Sequence, residues 1–302
     1  MIDFQKLQPA QRAQFDPFFF HCNKGCEYSF ANLSIWGRQR AAFLDGYLVL
    51  LSQFDRRCVY PFPIGQGDIQ PVLEAIIEDA RQRNIPCCFT GMNESDCQLL
   101  EQLYPGQFRI QPDRNGFDYV YNIDDLADLK GRKFQKKRNH INRFRENFPD
   151  WRVEPMTADH LPALREMAAQ WYANRQQTDP LGSYTLEQIA LDRALSDPES
   201  LGMEGLVLLD GDQVLAFTMG SQMRNDTFDV HFEKAREDAD GAYPAINQQF
   251  AAYIRQKYPQ VRFLDREDDM GLEGLRKAKL SYCPDHLIEK YWARLWEDAD
   301  ED

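Results

Sequence analysis

The chain has 302 residues, 43% of them apolar, and carries 35 basic against 48 acidic side chains for a net charge of −13. That length suits two domains of about 150 residues, each with its own core. The charge excludes broad, sequence-independent binding to nucleic acid or an anionic membrane, leaving only local contacts of that kind.

No apolar run approaches the roughly 18 to 20 residues that span a bilayer, and Met1 to Lys6 does not begin a basic-then-apolar leader, so a cytoplasmic protein without a transmembrane segment is expected. Seven scattered cysteines, with Cys87 and Cys88 adjacent and Cys283 alone, read as reduced thiols rather than a disulfide framework. His21, Cys22 and Cys26 lack a second ligand pair, so no metal site is expected.

In chain order, the first half predicts a short strand near Ile2 to Leu7, then helical stretches through Phe20 and around Tyr28 to Trp36. Strands follow at Ala41 to Leu44, Tyr47 to Gln53 and Cys58 to Phe62, with Asp45-Gly46 turning a hairpin. Ile69, Val72, Leu73, Ile76 and Ile77 fall at helical spacing between Asp68, read as the cap, and Asn84. A buried strand at Pro86 to Thr90, a helix from Glu94 to Leu103 and a hairpin through Tyr119 to Tyr121 complete this half.

The second half repeats that order. Trp151 to Met156 reads as a strand, and Asp159 to Arg175 and Leu186 to Leu195 as helices. Strands follow at Leu206 to Leu209, Val214 to Gln222 and Thr227 to Glu233, with Asp210-Gly211 as the first turn. A helix from Pro244 to Tyr258, a strand from Val261 to Asp265, a helix from Leu272 to Lys279 and a strand from Leu287 to Ala293 close it. The expected division is 1–125, a basic linker helix at 126–148, and 149–302.

Lys130 to Arg145 holds eight Lys or Arg residues and no acid in sixteen positions. It reads either as a solvated helix face or as a phosphate-binding surface through Lys136, Lys137 and Arg138. The acidic tail, Glu297 to Asp302, reads as a solvated end.

Chemistry concentrates in two strand ends. In an extended Thr227 to Glu233, period two places Asp229, His231 and Glu233 on one face, so that two carboxylates flank an imidazole suited to removing a proton. Lys234, next in sequence, reads as an ion-pair partner of Glu233. The loop before Pro244 leads into a helix whose free N–H groups at Gly241 and Ala242 suit a pyrophosphate or an oxyanion. Asp265 to Asp269 holds four acids in five residues; Asp268 and Asp269 read as helix caps, Arg266 and Glu267 as functional. Lys279 and Tyr282 stand where they reach back to those strand ends.

These segments, together with Phe30 to Trp36, Tyr119 to Tyr121, Lys136 to Asn142, Tyr243 to Asn247 and Leu275 to Pro284, resemble the family of phosphatidylglycerol lysyltransferase C-terminal domain proteins. The resemblance implies an α+β fold of two tandem acetyltransferase-like domains, each a mixed, mainly antiparallel sheet flanked by helices. It also implies an N-acyl or aminoacyl transferase that holds no permanent cofactor. The donor would be acyl-CoA or aminoacyl-tRNA, the latter touching the basic helix, and the acceptor a small molecule or lipid headgroup. His231, Glu233, Glu267 and Lys279 would be catalytic, and Asp229, Arg266, Asn247, Tyr243 and Tyr282 would bind substrate. Gly65-Gln-Gly67 and Gly241-Ala242 are only partial acyl-CoA loops. The competing reading is a non-catalytic binding module on the same fold.

Overall fold

The computed structural model describes residues 1–54, 57–175 and 182–296, so the acidic tail lies outside the described residues. The chain divides into two compact units, 1–117 with 288–302, and 118–287. Chain order begins β1 (Gln5–Lys6), α1 (Arg12–Phe19), α2 (Phe30–Ile35), β2 (Arg38–Leu44), β3 (Tyr47–Phe54), β4 (Arg57–Pro61), β5 (Ile64–Gly65), α3 (Gln70–Arg83), β6 (Cys88–Met92), α4 (Glu94–Leu103) and β7 (Phe108–Pro112). It continues β8 (Asp118–Asn122), α5 (Ile123–Asp128), α6 (Gln135–Asn147), β9 (Trp151–Pro155), α7 (Leu161–Ala173), α8 (Ser183–Ala194), β10 (Met203–Asp210) and β11 (Gln213–Gln222). Last come β12 (Thr227–Ala235), α9 (Ala242–Lys257), β13 (Phe263–Asp265), α10 (Glu273–Leu280), β14 (His286–Ile288) and β15 (Tyr291–Leu295).

The fold is α+β, with two mixed sheets flanked by helices, and the halves repeat one order of elements. The first sheet runs β1-β2-β3-β4-β6-β15-β7 with β5 beside β3, and the second runs β9-β10-β11-β12-β13-β8-β14. In each, a parallel pair follows the antiparallel strands, β4 with β6 and β12 with β13.

The penultimate strand of each sheet departs from the expected hairpin order. β8 does not pair with its sequence neighbour β7; Val120, Tyr121 and Asn122 lie antiparallel to Asp265, Leu264 and Phe263 of β13. β15 returns to the first sheet and inserts between β6 and β7. Burial accounts for β8: Tyr119 and Tyr121 join the second unit's core beside Phe228, Ile246, Phe250 and Leu264.

The basic segment is likewise no linker. α6 belongs to the second unit, where Phe134, Ile141 and Phe144 pack into that core. Much of its charge is taken up locally, Lys133 by Asp125 and Arg143 by Asp240, each at 2.7 Å. Among the described residues no helix is long and apolar enough to cross a membrane.

Gly241, which caps α9 at φ 88°, lies so close to α6 that a Cβ there would overlap the His140 carbonyl oxygen. Gly241→Ala combines that clash with left-handed strain and is expected to cost about 2 to 4 kcal/mol. Urea titration reads it as a lower midpoint at constant slope, and an unchanged midpoint would show that the helices tolerate the methyl.

Candidate active site at the ends of β12 and β13

The register between β11 and β12 slips at one residue: Met219 faces Phe232 and Gly220 faces Val230, leaving His231 as the extra residue of a β-bulge. Gly220 makes the bulge possible, because a Cβ there would overlap the Asp229 carbonyl oxygen. The bulge corrects the period-two reading. Asp229 and His231 share one face with Ser221, whereas Glu233 emerges on the other, beside Asn247 of α9.

On the first face His231 is fully enclosed. Its Nδ1 lies 2.9 Å from Glu267 Oε1 and 3.4 Å from Asp229 Oδ2, and its Nε2 lies 2.8 Å from Ser221 Oγ. A proton on Nδ1 is placed to donate to Glu267 Oε1, and Ser221 completes the ring's hydrogen bonding. Sequence reasoning missed Ser221; its signal is Gly220, the strand-interior glycine beside it. One ligand atom each from Asp229, His231 and Glu267 lie within 4.8 Å of one another, a set with the donors to hold a divalent cation.

On the second face, Glu233 accepts from Asn247 Nδ2 at 3.0 Å and from Arg266 Nη2 at 2.9 Å. The Arg266 guanidinium packs over Tyr282 and Tyr121, 4.9 and 5.6 Å from their ring centroids. Burial works against its charge, but Glu233 together with the Tyr121 and Tyr282 phenols outweighs burial and raises its pKa. Burial likewise raises the Tyr282 phenol. Lys137 of α6 reaches the same place, with Nζ 3.6 Å from the Tyr282 ring centroid and 2.7 Å from Ser281 Oγ.

The loop between β13 and α10 is fastened from several sides. The Glu267 amide is held by Asp265 Oδ1, and the Met270 and Gly271 amides by Asp268 and Asp269. The two aspartates thus cap this turn rather than α10 itself. Lys279 Nζ donates to the carbonyls of Arg266, Glu267 and Asp268, occupying all three ammonium hydrogens, and burial lowers its pKa. It clamps the loop and has no donor to spare for an oxyanion.

Of the other residues singled out, Tyr243 Oη accepts from Trp171 Nε1 at 2.9 Å, Arg138 caps the carbonyls of Leu129 and Gly131, and Lys136 is exposed. Ala242 N–H is used by Ala239 O, while α6 covers the neighbouring Gly241. Lys234 pairs with Glu187 at 2.7 Å over the Trp171 ring, so it is not the partner of Glu233. In the first unit the strand ends are filled by the unit's own chain. Tyr28 Oη donates to Phe62 O at 3.0 Å, and buried Lys24 pairs with Asp96 over the Tyr28 and Phe62 rings.

The family described as phosphatidylglycerol lysyltransferase, C-terminal, matches residues 21–294. The chain belongs to that family. A conserved protein of unknown function from Bacteroides thetaiotaomicron superposes with a TM-score of 0.91 at 38% identity, over 98% of this chain and 100% of that one. L-PGS from Bacillus licheniformis superposes at 0.64 and 16% identity, covering 98% and 94% of the two chains. A tandem GNAT protein from the clavulanic acid biosynthesis pathway gives 0.53 at 7% identity over 97% and 98%, in keeping with two acetyltransferase-like units. An uncharacterised protein of Mycoplasmoides gallisepticum is 26% identical over 182 residues, 59% of this chain and 56% of that protein, so the match spans about half of that relative.

Within this lysyltransferase family member, Asp269 anchors the site loop. Desolvation would raise its pKa, but hydrogen bonds from Arg276, Tyr119 and the Gly271 amide outweigh it and hold the carboxyl at about 2. A folded-state pKa below the unfolded one stabilises the protein above the unfolded value and loses that contribution as pH falls through the folded one. Asp269→Asn is therefore expected to cost about 2 kcal/mol at neutral pH and to flatten the decline in wild-type stability between about pH 4 and pH 2. Denaturant midpoints across that range check it, and parallel curves for the two proteins would contradict it.

Proposed function

We propose that this protein is an aminoacyl transferase that moves an aminoacyl group from tRNA to an amine or hydroxyl acceptor on a small molecule or lipid headgroup. The observation carrying this reading is the buried Glu233–Arg266 pair, braced by Asn247 and Tyr282 at the ends of the parallel strands. It occurs in a chain of the phosphatidylglycerol lysyltransferase family. A desolvated charge pair is costly unless its geometry is used, and a guanidinium at a strand end suits developing negative charge on an ester carbonyl.

The start of α9 favours tRNA over acyl-CoA as donor. A helix start holds a pyrophosphate through exposed N–H groups, yet here α6 lies against Gly241 and the Ala242 amide is already bonded to Ala239. In this reading His231 acts as a positioning residue that fixes Glu267, since its ring has no exposed surface.

The test is transfer of radiolabelled amino acid from charged tRNA to phosphatidylglycerol vesicles and to amine acceptors, with acyl-CoA in parallel. Transfer from tRNA that weakens steeply with salt is expected, and Arg266→Lys, which loses the planar fork, should lower kcat/KM by about a hundredfold. Transfer from acyl-CoA alone would replace the donor. Ligand binding without any transfer would favour the binding module.

A further inference from the structure

Phe134, at the cap of α6, and Lys137, Ile141 and Phe144 along it fall on one helical stripe, and the three apolar members are buried in the second unit's core. Lys137 is therefore the lysine of the basic run that the helix turns inward. Lys133 pairs with Asp125, Arg138 caps backbone carbonyls, Arg143 pairs with Asp240 and Arg145 lies over Trp151. Lys137 reaches Ser281 and the face of Tyr282, the same ring on which Arg266 packs.

We propose that Lys137 is the general base of the aminoacyl transfer, an assignment that rests on the transferase reading above. Three of the neighbouring groups are already committed elsewhere. His231 is enclosed with both ring nitrogens engaged, both Glu233 oxygens are held by Asn247 and Arg266, and Lys279 spends its hydrogens on three carbonyls. Lys137 is half-buried, so its nitrogen can meet a substrate.

The charged and titratable groups facing it are Arg266 from the loop after β13, Glu233 from β12, and Tyr282 and Cys283 from the segment after α10. Burial first, and then Arg266, bring its pKa down to about 8 against the opposing pull of Glu233 and Cys283. A usable fraction is then neutral near physiological pH.

In the step itself, neutral Lys137 Nζ takes the proton from the acceptor O–H or N–H as that atom bonds to the ester carbonyl carbon. The tetrahedral intermediate then collapses, the bond from that carbon to the ribose oxygen breaks, and the ribose oxygen receives the proton from Lys137. One ester and one acceptor give one acylated acceptor and one ribose hydroxyl, with Lys137 restored.

Two measurements test this on the full chain. The first is kcat against pH for wild type, Lys137→Arg and Lys137→Ala with charged tRNA. The expected result is a wild-type limb with an apparent pKa near the 8 of this lysine. Lys137→Arg should lose that limb and about a hundredfold in kcat with KM for tRNA little changed, and added primary amines should restore turnover to Lys137→Ala. Retention of rate and limb, or a loss confined to KM as for a phosphate clamp, overturns the base while leaving the transferase standing. A wild type that transfers nothing from any donor overturns the function and the base together. The second measurement is free of activity: the pH dependence of labelling by an amine-reactive reagent, read per lysine by mass spectrometry. A Lys137 midpoint near 8 supports the proposal, and one like that of the exposed lysines overturns it.

Discussion

The single extra residue in β12 governs the chemistry of the second unit. Without the bulge at His231, strict alternation would place Asp229, His231 and Glu233 side by side, three polar groups on one buried face. With it, the imidazole and Asp229 stay with Ser221 while Glu233 turns toward α9 and Arg266. Two polar clusters therefore form on opposite faces of one strand, each with its own partners. The consecutive residues Arg266 and Glu267 serve one cluster each.

That division holds only because the loop after β13 is rigid. Glu267 and Met270 adopt left-handed backbone conformations, at φ 55° and 50°, which are unfavourable for residues with a Cβ. The surrounding structure enforces them. Lys279 gathers three carbonyls in a row from within, Asp265, Asp268 and Asp269 tie down amides, and Tyr119 and Arg276 fix Asp269. A lysine that looks catalytic by position thus contributes order, and the order lets Arg266 keep its guanidinium on the tyrosine rings without searching for it.

Much of the fold was legible in the sequence, because helical and strand periodicities, the Asp-Gly turns and the repeated order of elements are local signals. What was not legible is non-local or concerns a single residue. β7 and β8 follow one another like a hairpin, and only the burial of Tyr119 and Tyr121 in another core separates them. Counting by twos along β12 fails at one inserted residue, whose only trace in the sequence is Gly220 on the neighbouring strand. Within the basic run, charge density hides the difference between Lys136 and Lys137, whereas helical phase against Ile141 and Phe144 separates them. Composition gathered the candidate residues but could not assign roles among them, since those depend on which hydrogens and lone pairs are already taken.

The return of β15 to the first sheet has a further consequence, for how the chain acquires its structure. A chain emerging from the ribosome completes its early domains first when their parts are contiguous. Here β6 and β7 have no strand between them until residue 295 has been made, so the first unit waits on a strand of its own that is made after the second unit. Until then both strands present unpaired backbone groups, the kind of open edge on which chains associate wrongly. The insertion thus makes completion of the first unit a late event, and it prevents that unit, unlike the continuous 118–287, from being inherited or transplanted as one continuous segment of gene.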